Sequence, residues 1–247
     1  MKSLLCAARA ALIALSLTAT AASANVLIAG TRVVFSAQEG EVTVRLTNNN
    51  PHPALVEAWI DDGDPNSTPN TAKAPFLITP PLFRMEVSKD QNLRIVGTPA
   101  NLPSDRESLF WLNVLEIPPK PSGPQYAGKN TLQFAIRSRL KFFYRPANLP
   151  GDANKAPEQV SWKAVADGQG YALEVHNPTP YHITVVQASL TVDDKAYSTD
   201  IGMVDPFGTL RLKIKGLATA PAAGTSIAYN CINDFGATVA FKGSVAP

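Results

Sequence analysis

The sequence predicts an all-β protein made of two β-sandwich halves. Three observations carry this: helical apolar periodicity is scarce, short β-branched and aromatic runs recur along the chain, and clusters of Pro, Gly, Asn and Asp separate them. With 21 Pro and 15 Gly in 247 residues, turn-forming residues are available between the runs.

In the first half, Val42, Val44 and Leu46 alternate with Glu41, Thr43, Arg45 and Thr47 until Asn48-Asn49-Asn50-Pro51 ends the run. A period of two marks a strand with one buried face, and the Asn/Pro cluster marks the turn after it. Residues 55–60, 76–79, 93–96 and 109–117 are further strand candidates, and 132–144 is the longest. Pro146-Ala147-Asn148-Leu149-Pro150-Gly151-Asp152 then breaks the pattern, which divides the chain into residues 25–146 and 147–247. Strand-like runs resume at 160–164, 171–175, 181–190, 209–214, 227–232 and 238–241, enough for a second, smaller sandwich.

Residues 1–24 read as a secretory signal: Lys2 and Arg9 supply positive charge, residues 10–17 are apolar, and Ala22-Ser23-Ala24 is a small-x-small cleavage site. The apolar stretch is shorter than the roughly 20 residues that a membrane crossing needs, so no membrane insertion is expected. The full chain carries 22 Lys+Arg against 20 Asp+Glu. Losing Lys2 and Arg9 would leave the exported protein with no formal net charge, which disfavours a partner held by phosphate neutralisation and excludes nucleic acid as the expected ligand. Cys6 would go too, leaving Cys231 alone in an oxidising compartment with no intramolecular bridge to form.

Catalytic chemistry finds little support. His52, His176 and His182 have no metal-ligand spacing and no Cys pair beside them, and no Gly-Xaa-Ser-Xaa-Gly elbow, phosphate loop or dinucleotide fingerprint occurs. No cofactor or metal is expected. Asp61, Asp62 and Asp64 fall in a Gly/Pro-rich turn and read as solvated, and Cys231, inside an apolar run, reads as a small core residue.

The stretch from Leu132 to Arg145 carries more information. Leu132, Phe134, Ile136 and Leu140 share one face, and Ala135, Arg137, Arg139 and Lys141 the other. Such a strand is either an ordinary sandwich strand or an edge that offers backbone hydrogen bonds and an apolar row to another chain.

Several blocks of the sequence resemble the periplasmic pilus-assembly chaperones, the PapD-like proteins of the chaperone/usher pathway. The run from Leu102-Pro103-Ser104-Asp105-Arg106-Glu107 through Leu109-Phe110-Trp111-Leu112-Asn113-Val114-Leu115-Glu116-Ile117-Pro118-Pro119 looks like their signature. Thr31-Arg32-Val33-Val34-Phe35, Ala58-Trp59-Ile60-Asp61, Thr79-Pro80-Pro81, Leu140-Lys141-Phe142-Phe143-Tyr144-Arg145-Pro146, Asn177-Pro178-Thr179-Pro180-Tyr181 and Ile232-Asn233-Asp234-Phe235-Gly236 resemble further blocks in the same order. The resemblance implies two immunoglobulin-like sandwiches at an angle with a cleft between them. It also implies a periplasmic chaperone that caps fimbrial subunits by donor-strand complementation and delivers them to an outer-membrane usher.

The same resemblance assigns roles. Arg32 and Lys141 match the cleft cations that hold the subunit's C-terminal carboxylate. Leu132, Phe134 and Ile136 match the residues that fill the subunit's groove, with Phe134 bulkier than the usual aliphatic residue; Leu140, of the same parity, is assigned to the core. Glu107, Arg145 and Asp234 match a charge network between the domains. Cys231 lacks the partner that several relatives have, and the loop from Lys120 to Thr131 is somewhat longer than in short-loop members but carries none of the cysteines that frame the strands in many long-loop members, which favours the short-loop branch serving rod-like pili. Self-association through the subunit-binding edge is a further expected partner state. A competing reading is an immunoglobulin-like surface adhesin or structural protein with this strand closed into its own sheet; a periplasmic hydrolase is a third, lacking a nucleophile constellation.

Overall fold

The computed structural model describes residues 26–126 and 128–247; the leader expected at 1–24 lies outside them. Regular structure is almost entirely strand, with 3-10 turns only at Pro124–Tyr126 and Ala156–Gln159 among the described residues.

The first half contains β1 (Val26–Ile28), β2 (Arg32–Ser36), β3 (Glu41–Asn48), β4 (Ala54–Asp61), β5 (Phe76–Thr79), β6 (Leu82–Met85), β7 (Asp90–Gly97), β8 (Ser108–Ile117) and β9 (Ile136–Arg145). They form a four-stranded sheet ordered β1-β3-β7-β5 and a five-stranded sheet ordered β2-β9-β8-β4-β6. The alternation read from the sequence decides what faces inward: Val44 and Leu46 of β3 are buried while Arg45 points out and pairs with Asp90. Phe35, Leu46, Val56, Leu93, Ile95, Leu112 and Phe142 are fully buried, each contributing about 1.5–3 kcal/mol relative to exposure.

The second half contains β10 (Ser161–Asp167), β11 (Gly170–His176), β12 (Ile183–Val192), β13 (Lys195–Ser198), β14 (Gly202–Val204), β15 (Thr209–Lys213), β16 (Ser226–Ile232) and β17 (Thr238–Ser244). Its sheets run β10-β11-β15 and β13-β12-β16-β17, with β14 also on β12. Trp162, Leu173, Ile183, Leu190, Leu212 and Ile227 fill its core. Cys231 is buried there as a free thiol, and burial pushes its pKa up to about 12, so it behaves as a small hydrophobe.

Two features of β9 position the site. Its C-terminal half pairs with β2 in parallel, in the register Arg32↔Lys141 through Ser36↔Arg145. Its N-terminal half, 136–140, pairs only with β8, so one edge is open. The expected start at Leu132 is corrected, because the strand begins at Ile136. Glu116↔Ile136 is the last pair with β8, whose continuation is Pro118-Pro119. Proline has no N–H to extend a ladder. Instead, Gln133 Nε2 donates to the Pro118 and Pro119 carbonyls at 2.5 and 3.1 Å.

Candidate binding site in the interdomain cleft

Because Arg32 and Lys141 are register partners on neighbouring strands, their side chains leave the sheet on the same face, toward the second domain. Arg32 Nη1 donates to the Ile232 carbonyl at 3.2 Å, its guanidinium lies 5.7 Å from the Phe143 ring centroid, and its buried Nε has no acceptor. Lys141 Nζ reaches Thr184 Oγ1 at 3.4 Å. Among the described residues neither cation forms an ion pair. Burial holds the Arg32 pKa below the usual arginine range, against the pull of Asp234 and Glu107. Burial and then the neighbouring Arg32 charge push Lys141 below the usual lysine range, with Asp205 opposing. Two partly desolvated like charges held this way are relieved by a single anion, and a carboxylate suits both the planar fork of an arginine and the point charge of a lysine.

Beside Arg32 opens a cavity of about 240 Å³ whose lining includes Phe143, Ile183, Cys231, Val239 and Phe241. The turn carrying Gly236 closes on the start of β2. Gly236 has φ +81°, and a Cβ there would stand 2.5 Å from Thr31 Oγ1.

Glu107, Arg145 and Asp234 come together between the domains. Arg145 Nε donates to Glu107 Oε1 at 2.8 Å, while Nη1 and Nη2 grip the two Asp234 carboxylate oxygens at 2.8 and 2.9 Å. Asp234 is aimed by its turn, in which Asn233 Oδ1 accepts from the Phe235 and Ala237 amides. Burial disfavours the Arg145 charge, but both acids outweigh it and raise its pKa further. Sequence reasoning missed His182, whose backbone N–H lies 2.8 Å and ring Nδ1 3.1 Å from Glu107 Oε2. Its only sequence signal is adjacency to the Pro180-Tyr181 block.

Leading into the open edge, Leu132 is 79% and Phe134 67% exposed, and Ile136, the first residue of β9, is 46% exposed, whereas Leu140 is buried in the sandwich. Large apolar side chains exposed together beside an unpaired strand edge are unusual for a folded domain.

The expectation that Asp61 is solvated is corrected: its relative exposure is 0%. It is the last residue of β4 and not part of the turn, so its side chain lies across the outer face of the sheet. There Arg139 Nη2 reaches its Oδ1 at 2.6 Å and Asn113 Nδ2 its Oδ2 at 2.7 Å. Burial opposes its ionisation, but hydrogen bonds from Arg139, Asn113, Gly63 and Ser67 win and hold its pKa below the ordinary carboxylate range. The alternation of Trp59 with Asp61, matching that of Arg137 with Arg139, was the available signal.

The N-terminal domain model of PapD, described as a pili and flagellar-assembly chaperone, matches residues 25–150, and the C-terminal domain model of PapD, a pili assembly chaperone, matches 155–242. The chain belongs to the pilus-assembly chaperone family. Among these chaperones, the chaperone protein FimB/FhaD of Bordetella pertussis is 41% identical over 92% of this chain and 91% of its own length. The probable fimbrial chaperone YadV of Escherichia coli K12 is 38% identical over 87% and 88%. The crystal structure of YadV superposes with a TM-score of 0.76 at 35% identity, covering 90% of this chain and all of the other. The Salmonella enterica SafB chaperone, solved in complex with the SafA pilin, gives 0.74 at 29% identity over 92% and 99%. The two-domain, all-β architecture expected of a pilus-assembly chaperone is therefore the one observed.

Proposed function

We propose that this chaperone works in the periplasm, caps fimbrial subunits by lending them the open edge of β9, and passes them to an outer-membrane usher. The observation that carries the reading is that two features lie along one stretch of chain. Exposed Leu132, Phe134 and Ile136 stand at its start, and the unneutralised Arg32–Lys141 pair stands where β2 begins to cover it. A subunit lacking a strand would receive the backbone edge and three apolar side chains, each contributing about 1.5–3 kcal/mol if fully buried. Its C-terminal carboxylate on Arg32 and Lys141 would fix the register, since a slip of one residue presents the wrong face.

Glu107, Arg145 and Asp234 set the domain orientation that keeps the cleft open, with the domains divided at residues 146 and 147. The action is binding, with no covalent step. The adhesin alternative requires the edge to be closed into the protein's own sheet, whereas residues 132–135 lie in no strand.

Arg32→Ala and Lys141→Ala, each co-expressed with a cognate subunit, are expected to lower subunit recovery from the periplasm at least tenfold, on the order expected for losing charge-assisted hydrogen bonds. Undiminished recovery with both would sink the anchoring role. Phe134→Asp is expected to abolish subunit co-purification while the free chaperone keeps its circular dichroism spectrum and urea midpoint. A destabilised free protein would mean that Phe134 belongs to the core.

A further inference from the structure

We propose that Asp61 is a positioning residue that presets the open half of β9 for lending, by means of a clamp laid across the outer face of the sheet. The inference rests on the reading of β9 as the lent edge. An edge held by backbone bonds on one side only frays readily, and residues 136–140 are in that position. The two outward residues of this half, Arg137 and Arg139, do not extend into solvent. Arg139 crosses over β8 to the end of β4, with Nη2 at 2.6 Å from Asp61 Oδ1 and Nε at 3.3 Å from Oδ2. Arg137 places Nε and Nη2 on Asn113 Oδ1 at 2.9 and 2.6 Å, Nη1 on the Pro65 carbonyl at 2.9 Å and Nη2 on Ser67 Oγ at 3.2 Å. It also lies 3.6 Å from Asp61.

Each guanidinium sits over an indole as well, Arg137 over Trp59 at 4.7 Å and Arg139 over Trp111 at 4.2 Å. Asp61 holds the assembly together: it accepts from Asn113 Nδ2, Ser67 Oγ and the Gly63 amide at 2.7, 3.0 and 2.8 Å. One buried carboxylate thus ties β4, β8, β9 and the loop after β4. Pinning Arg137 and Arg139 outward fixes the pleat, so Ile136 must project from the opposite face. Order supplied in advance is not lost again on binding, which favours capture.

The test is Asp61→Asn in the full chain, read by amide hydrogen exchange, by the urea midpoint and by recovery of a co-expressed subunit. The β8-bonded amides of residues 136–140 are expected to exchange about tenfold faster, with those of β12 within about twofold, and subunit recovery to fall about fivefold. Val44→Ala, in the other sheet of the same domain, controls for destabilisation. An equal loss of recovery in a Val44→Ala protein of matched midpoint overturns the positioning role. So does unchanged exchange or unchanged recovery in Asp61→Asn while Arg32→Ala abolishes recovery. If Arg32→Ala and Lys141→Ala also leave recovery intact, the lent-edge reading itself fails. Should Asp61→Asn not accumulate, Arg139→Gln, which leaves Asp61 its Asn113, Ser67 and Gly63 donors, is measured in the same way and judged by the same outcomes.

Discussion

Lys141 and Arg145 lie four residues apart on the same strand, yet their surroundings are opposite. Arg145 is saturated, with both acids within 2.9 Å and its charge strengthened by them. Lys141 faces a second cation, Arg32, and its charge is weakened. A buried charge that the fold has already neutralised serves the fold, and one left without a counterion is available to a ligand. The same segment of sequence thus carries one cation paired by an acid from each domain, Glu107 and Asp234, and another that forms no ion pair among the described residues.

The sharpest way to break this contrast is Arg145→Ala. It leaves Glu107 buried with His182 as its remaining partner, and stability measured by urea unfolding is expected to fall by about 3–5 kcal/mol. A loss below about 1 kcal/mol would remove the distinction between the two sites. Lys141→Ala should do the reverse: stability within about 1 kcal/mol of the parent, because no ion pair is lost and repulsion from Arg32 is relieved.

The smallest effect is in pH. In the proposed role Lys141 would take a carboxylate when protonated, and its pKa in the free protein lies below the usual lysine value because of burial and Arg32. Bound carboxylate raises that pKa. Affinity for a peptide matching the subunit's C-terminal strand is therefore complete below the free-state pKa and declines as the pH rises through it. Calorimetry at about pH 7 and near the ordinary lysine pKa of about 10.4 should show weaker binding at the higher pH for the free-acid peptide and much less change for its C-terminal amide. Equal pH dependence for both would break the link to Lys141.

The sandwich halves were legible because alternation survives in long strands such as β3 and β8. β13 and β14, of four and three residues, are too short to display a period, and no pattern in the chain marks them. The 132–135 segment alternates as a strand does, but pairing requires a neighbour, and Pro118-Pro119 withholds it. That limit is non-local and invisible to periodicity. Glu107, Arg145 and Asp234 were found through their motifs, although Asp234 is 89 residues from Arg145 and no local rule joins them. Asp61 was misread because turn residues follow it directly: composition located the turn but not that Asp61 still belonged to β4, with its side chain turned over the sheet.

The contact between Gly236 and Thr31 has a mechanical consequence. The second domain rests on the first where a single missing carbon allows backbone and hydroxyl to meet, one residue from Arg32. Any side chain at Gly236 would have to displace the Thr31 hydroxyl and hold the left-handed φ of +81°, in the same turn that carries Asp234. That absent methyl group lets the turn carrying Asp234 lie flush against the residue before Arg32, so the interdomain ion pair and Arg32 share one point of close approach.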